Sequence, residues 1–295
     1  MSNSLDRVER GVFQDLQALF DNDRFITTDR YLEFAERNHQ DFYYVKRDFI
    51  FRSGNFRDIE YPTLTSRFNE YRSKVLIMGH SDLATNTAMA RLLKLLGISR
   101  VFSTNSLPLQ DFVHPIPLGL TNNCDDSPIH RIFGDHSLLL KASSVSDFPE
   151  KFAPIIYTNF TSSNNKRVRG LLLKQLTNLP KEYVVNRTLP DFSVSGRVKY
   201  LIQCRSSNFV LCPEGNGVDT HRLWETLYMG GVPIIKRNPM LTNLVDGLPV
   251  IQVDSWKQIN SMNFLEEQWH QVQELSWDKS RLSIDYWWDR FLTIR

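Results

Sequence analysis

His221, Arg222 and Glu225 follow directly on a loop, PEGNGVDT at 213–220, that carries Glu214, Gly215, Asn216, Gly217, Asp219 and Thr220. An imidazole, a guanidinium and a carboxylate at i, i+1 and i+4 share one side of a helix's opening turns, because positions three and four apart are neighbours on its surface. A glycine-bearing loop that ends on a helix N-terminus aims open backbone N–H groups at one point, where the partial positive charge favours an anion. The chemistry on offer is the stabilisation of negative charge, strengthened by an arginine.

The flanking residues supply the elements that hold such a loop. Phe209 to Cys212 is a short apolar run suited to a buried strand, and Pro213 ends it. Gly215 and Gly217 permit turns that a Cβ would forbid. Asp219 or Thr220 then caps a helix with Leu223, Trp224 and Leu227 on one buried stripe. Gly230 and Gly231 stop it, and Val232 to Ile235 begins the next strand.

Two familiar anion loops are excluded. No Gly-Lys-Ser/Thr follows the glycines, so this is not a Walker A site. Gly215-Asn216-Gly217 is followed by Val218, Asp219 and Thr220, so the GxGxxG dinucleotide pattern is absent. ATP hydrolysis and hydride transfer lose their support. What remains resembles the donor-binding segment of exostosin-like glycosyltransferases of GT-B architecture. There a strand ending in CP-x-G leads to R-x-W-E-x-L and then G-x-P-V/I-I. Cys212, Pro213, Gly215, Arg222, Trp224, Glu225, Leu227, Gly231, Pro233, Ile234 and Ile235 supply that pattern here.

The resemblance covers residues 155–255 or so and implies a nucleotide-diphosphate sugar as donor. It also implies a glycan or lipid-linked saccharide as acceptor, with inverting, metal-independent transfer and no cofactor beyond the nucleotide-sugar. Glu225 would hydrogen-bond the ribose hydroxyls. Glu214, Gly215, Asn216, Gly217, Asp219, Thr220, His221, Arg222 and Lys236 would complete the donor site. Breaking the glycosidic bond builds charge on the diphosphate, which a helix N-terminus and Arg222 can stabilise.

Plainer readings stand beside these. Arg222 and Glu225 also suit an i,i+3 ion pair on a solvated face. Glu214 suits a solvated turn as well as a catalytic carboxylate, Asp219 an N-cap, Trp224 the core, and Cys212 a small buried site. Lys236, Arg237 and Asn238 lie just past a strand and either meet the diphosphate or remain solvated. An inverting transfer further needs a base to deprotonate the acceptor hydroxyl. His80 and Asp82, after the strand KVLIMG, are the candidates; Asp82 would equally cap the next helix, and His80 would equally be a hydrogen-bonded loop residue. His114, His130 and His136 show no metal-ligand spacing.

These residues need a scaffold, and the rhythm of the chain supplies one. Val12, Leu16, Leu19 and Phe20 sit at helix spacing, and Phe42 to Phe51 reads as strand. Strand Lys74–Gly79, helix Thr85–Leu96 and strand Arg100–Ser103 follow, with Ile116 to Gly119 extended near an edge. A second alternation runs through strand Ile155–Asn159, helix Arg167–Leu176, strand Tyr183–Asn186 and helix Gly196–Cys204, with strand Val250–Val253 beyond the donor motif. Alternation of this kind predicts an α/β fold with parallel sheets. The expected architecture is two Rossmann-like domains facing a cleft: 1–150 on the acceptor side, 151–280 on the donor side, with a boundary near 145–153. Residues 281–295 are expected to form a helix packing back on the first domain. Trp256, Trp269, Trp277, Trp287 and Trp288 mark the tail as amphipathic.

Composition narrows the partners. In 295 residues, 35 Lys and Arg against 33 Asp and Glu leave a formal charge of +2, too balanced for bulk nucleic-acid binding. No stretch approaches the ~20 apolar residues that span a bilayer, though peripheral contact with a membrane stays compatible. The three cysteines have no CxxC pairing, and the polar N-terminus lacks an apolar leader core, so a cytoplasmic setting is expected. Rival readings are a non-catalytic nucleotide- or sugar-binding subunit of a polysaccharide assembly system, and an epimerase or phosphorylase of related architecture.

Overall fold

Strand segments such as VLIM and FVL are apolar at every position, which only a sheet covered on both faces can satisfy. The computed structural model describes residues 16, 19–20, 23–46, 72–80, 86–109, 111–124, 127–145, 155–177, 179 and 184–294. The first part comprises α1 (Thr28–Arg37), β1 (Phe42–Lys46), β2 (Val75–Gly79), α2 (Thr87–Leu95), β3 (Arg100–Ser103) and β4 (Val113–Pro115). Its strands form an all-parallel sheet in the order β1-β2-β3-β4. Two short helices, α3 (Pro128–Phe133) and α4 (Ser137–Ser143), lead onward.

The second part runs β5 (Ile155–Thr158), α5 (Lys166–Leu176), β6 (Val184–Arg187), α6 (Val194–Ser206), β7 (Phe209–Leu211), α7 (His221–Tyr228), β8 (Val232–Lys236), α8 (Pro239–Val245) and β9 (Ile251–Val253). These strands are again all parallel, in the order β6-β5-β7-β8-β9. The chain closes with α9 (Met262–Glu274) and α10 (Ile284–Thr293). The molecule is therefore α/β with two parallel sheets. No helix among the described residues is long and apolar enough to cross a membrane.

Strand side chains alternate between two layers, as the pleat requires. Leu76 and Met78 pack with Met89 and Leu93 of α2 on one face of the first sheet. Val75 and Ile77 face the opposite way, into the largest buried cluster. That cluster also takes in Tyr157 and Val210 of the second sheet, and Leu223, Trp224, Leu227 and Tyr228 of α7. One continuous core thus joins the sheets, with α7 in the seam. The Tyr228 hydroxyl accepts the Ile26 N–H at 2.9 Å and donates to the Leu282 carbonyl at 2.6 Å, pinning three distant stretches together. The α10 residue Phe291 packs against Phe34 at 5.1 Å and Phe102 at 4.7 Å, so the C-terminal helix lies on α1 and β3.

Several local expectations are refined. The cap of α2 is Asn86, whose side chain accepts the Met89 N–H, and not Asp82, which lies outside the described residues. Val12, the stretch 47–51 and most of the boundary at 145–153 also lie outside them. Thr220 occupies the N-cap position of α7 but makes no side-chain cap bond, and Asp219 does not cap at all. Its carboxylate is committed elsewhere, as described next.

Candidate functional site

The strand order dictates where the second sheet opens. The chain passes from β5 outward to β6, then returns across β5 to place β7 on its other side. The connections leaving β5 and β7 therefore diverge, and a crevice forms beyond the carboxyl ends of those strands. The first sheet, whose described strands lie in sequence order, has no such reversal. A cleft of about 350 Å³ occupies the β5–β7 reversal. Asn159, Phe160 and Thr161 after β5 form one wall, and Gly215, Asn216, Gly217, Asp219 and Thr220 after β7 form another. Leu118 and Thr121 from the connection after β4, with Phe133 of α3, close the third side.

The loop after β7 is held from both flanks. Gly215 N–H bonds the Gly217 carbonyl at 2.9 Å, closing the turn on itself. Asn165 donates to the Gly215 carbonyl at 3.1 Å, and Arg169 Nε donates to the Glu214 carbonyl at 3.0 Å. On the far side, Asp219 accepts the Leu118 N–H at 2.7 Å and the Trp224 indole N–H at 2.8 Å. The Asp219 N–H in turn donates to Asn105 at 2.8 Å. Asp219 is thus a buried clasp between the two halves of the chain. Burial pushes its carboxyl up to about 7, although the Leu118 and Trp224 donors pull the other way.

Helix α7 brings His221, Arg222 and Glu225 to the same cleft. Arg222 donates Nη2 to the Asn159 carbonyl, and its buried Nε has no hydrogen-bond partner among the described residues. The i,i+3 pair with Glu225 does not form. Glu225 instead sits 2.8 Å from Arg197 of α6 and accepts the Tyr200 hydroxyl at 2.8 Å. Burial raises the Glu225 carboxyl, but the charge and hydrogen bond of Arg197, with His221 and the Tyr200 hydroxyl, together outweigh it and leave the carboxyl below the usual range. Glu225 therefore lines the cleft floor as an anion that already has partners. Trp224 is core, and burial pushes the Cys212 thiol up to about 12, which rules it out as a thiolate nucleophile at neutral pH.

A second cation, absent from the sequence-based list, shares the cleft. Arg169 of α5 lies over the Phe160 ring at 5.6 Å and Arg222 lies over the same ring at 5.8 Å. Among the described residues neither forms an ion pair with a carboxylate. Burial, and then the neighbouring Arg222 charge, pull the Arg169 guanidinium down to about 10. Two like charges held together by carbonyls and a ring face form a site that a bound anion would relieve. The sequence does carry a signal for Arg169. Helix α5 opens on Lys166, Arg167 and Arg169 with no acid in its first turn, opposite to what the helix dipole favours.

Other expected site residues fall elsewhere. Lys236 is exposed at the end of β8 and does not line the cleft. Arg237 pairs with Asp254 at 2.8 Å, and Asn238 caps α8, which leaves Glu214 bonded to Asn238 at 3.4 Å outside the cleft wall. His80 does not line the cleft either. Its Nδ1 bonds the Tyr44 hydroxyl, while Nε2 faces Asp29 at 3.1 Å and the Asn122 amide. Asp82 lies outside the described residues. Among the described residues no group of three or more His, Cys, Asp or Glu is placed to hold a metal ion. Neither a scan against protein-family models nor a search of curated proteins finds a match to this chain.

Proposed function

We propose that this protein is an inverting, metal-independent glycosyltransferase. In this reading a nucleotide-diphosphate sugar is the donor, a glycan or lipid-linked saccharide is the acceptor, and the two sheets form the halves of a GT-B architecture. The observation that carries the reading is the pair Arg169 and Arg222, unpaired by carboxylates among the described residues and set over Phe160 in a cleft at the strand-order reversal. Two guanidinium groups supply the positive charge that a departing diphosphate needs, and their planar donor sets suit phosphate oxygens. The PEGNGVDT loop, held by Asn165, Arg169 and Asp219, gives that anion a rigid backbone wall. Rigidity matters because preorganised donors stabilise developing charge without reorganising during reaction.

The test is calorimetry of the protein against UDP, GDP, CMP and TDP, followed by turnover of the sugar carried by whichever nucleotide binds. One nucleotide should bind selectively. Arg222→Ala should keep the fold, as circular dichroism reads it, and lose a factor of about 10²–10³ in kcat. Wild-type protein that binds no nucleotide, or an Arg222→Ala variant that turns over normally, rules the reading out. Binding without turnover across an acceptor panel would mark a binding subunit instead.

A further inference from the structure

The cleft holds an imidazole whose orientation is fixed by the backbone. His221 Nδ1 lies 2.7 Å from the Gly119 carbonyl. A carbonyl only accepts, so Nδ1 carries the proton of that bond, and in the neutral form of the ring the lone pair is the one on Nε2. The Gly119 carbonyl is itself clamped. Leu118 N–H is bonded to Asp219 at 2.7 Å, and Leu120 N–H to the Ile26 carbonyl at 2.8 Å. Gly119 has φ +70°, and a Cβ there would lie 2.1 Å from the Ile26 carbonyl oxygen. The strap is therefore rigid and specific to glycine. A carbonyl on Nδ1 also stabilises the imidazolium when Nε2 gains a proton.

We propose that His221 is the catalytic base of this site, a role that rests on the glycosyltransferase reading. The acceptor hydroxyl gives its proton to Nε2 as its oxygen bonds the anomeric carbon. The bond from that carbon to the diphosphate oxygen breaks, and its electron pair leaves with the nucleotide diphosphate beside Arg222 and Arg169. The imidazolium then returns its proton to solvent. His221 stands next to Arg222 on α7, so base and leaving-group stabiliser share one rigid element. Among the described residues, the charged and titratable groups that share the cleft with the ring are Arg222 and Glu225 on its own helix, Arg197 and Tyr200 of α6 at Glu225, Asp219 in the loop, and Arg169 of α5.

His221→Asn keeps an N–H donor near the Nδ1 position and removes the basic nitrogen. Nucleotide affinity, measured by calorimetry, should stay within a factor of about 3, while kcat falls by about 10²–10⁴. The acidic limb of the wild-type kcat profile should disappear, and added imidazole should restore part of the turnover of His221→Ala. If nucleotide affinity falls by the same factor as kcat, the ring is a diphosphate ligand and the proposal fails. An unchanged acidic limb overturns it as well. Should His221→Asn unfold, the same readings on His221→Gln decide. A wild-type protein that binds no nucleotide removes the underlying reading, which these variants alone cannot do.

Discussion

Glu225 Oε1 lies 2.8 Å from Arg197 Nη2, and the two side chains are 4% and 1% exposed. Arg197 Nε and Nη1 have no hydrogen-bond partner among the described residues, but the guanidinium lies 4.7 Å from the Phe133 ring centre and 5.4 Å from that of Tyr200. The cation is therefore compensated by one carboxylate, the Phe133 carbonyl at 3.4 Å and two ring faces. Removing the carboxylate leaves a buried charge with one long bond to the Phe133 carbonyl and two aromatic contacts. Glu225→Leu should cost about 3–5 kcal/mol of stability, and Arg197→Met a similar amount. The double variant Glu225→Leu with Arg197→Met should recover most of that loss, because a buried pair replaced by apolar groups is close to neutral. Urea denaturation of the three variants checks this; full additivity would mean that the two groups do not interact.

Asp219 and Glu225, six positions apart, should give opposite pH dependences. Burial raises the folded Asp219 carboxyl to about 7, while an unfolded Asp ionises near 4. Between those values the folded chain holds a proton that the unfolded chain has lost, so stability falls as pH rises through that window and levels above it. Glu225 is depressed, its burial outweighed by Arg197 together with His221 and Tyr200, so its contribution is present above the ordinary Glu value of about 4.3 and lost as pH falls. Denaturation at several pH values between about 5 and 8 should show a decline that Asp219→Asn removes. A flat wild-type profile would mean that the Leu118 and Trp224 donors keep Asp219 ionised.

The fold was legible where a strand is buried on both faces, since runs such as VLIM and FVL carry their own signature. The loop at 213–220 was legible for a related reason: glycine, proline and helix spacing are local properties. What escaped was set by topology. Leu118 and Asp219 are 101 positions apart, and no spacing rule links them. Arg197 took Glu225 from Arg222 because α6 packs beside α7, a neighbour relation that helix periodicity does not contain. His221 was read as a donor contact, since only the folded chain brings the Gly119 carbonyl to its ring.

Two glycines of the loop should behave differently when given a methyl group. At Gly215 a Cβ would meet Arg169 Nη2 at 2.8 Å, the mobile end of a long side chain. Gly215→Ala should displace that guanidinium, weakening nucleotide binding several-fold with little change in melting temperature. At Gly217 the Cβ would meet the Asn105 amide at 2.8–3.0 Å, and Asn105 holds the Asp219 N–H across the seam. Gly217→Ala should therefore cost about 1–3 kcal/mol as that buried donor loses its acceptor. Paired thermal melts and calorimetry separate the cases; equal stability losses would contradict the distinction.

His80 provides the complementary case, a histidine that braces without touching the cleft. It follows β2 with φ +57°, a conformation that costs a side-chain-bearing residue about 1–2 kcal/mol. The Tyr44 hydroxyl, which burial keeps protonated far above the usual range, bonds its Nδ1, and Asp29 and Asn122 meet Nε2. His80→Ala loses those bonds and keeps the backbone strain, so it should be destabilised by about 1–3 kcal/mol. His80→Gly loses the same bonds but relieves the strain, and should melt above His80→Ala despite glycine's larger unfolded-state entropy. Both should bind nucleotide as the wild type does once folded, because the ring lies outside the cleft. A His80→Ala variant that stays stable yet loses turnover would return this residue to the chemistry.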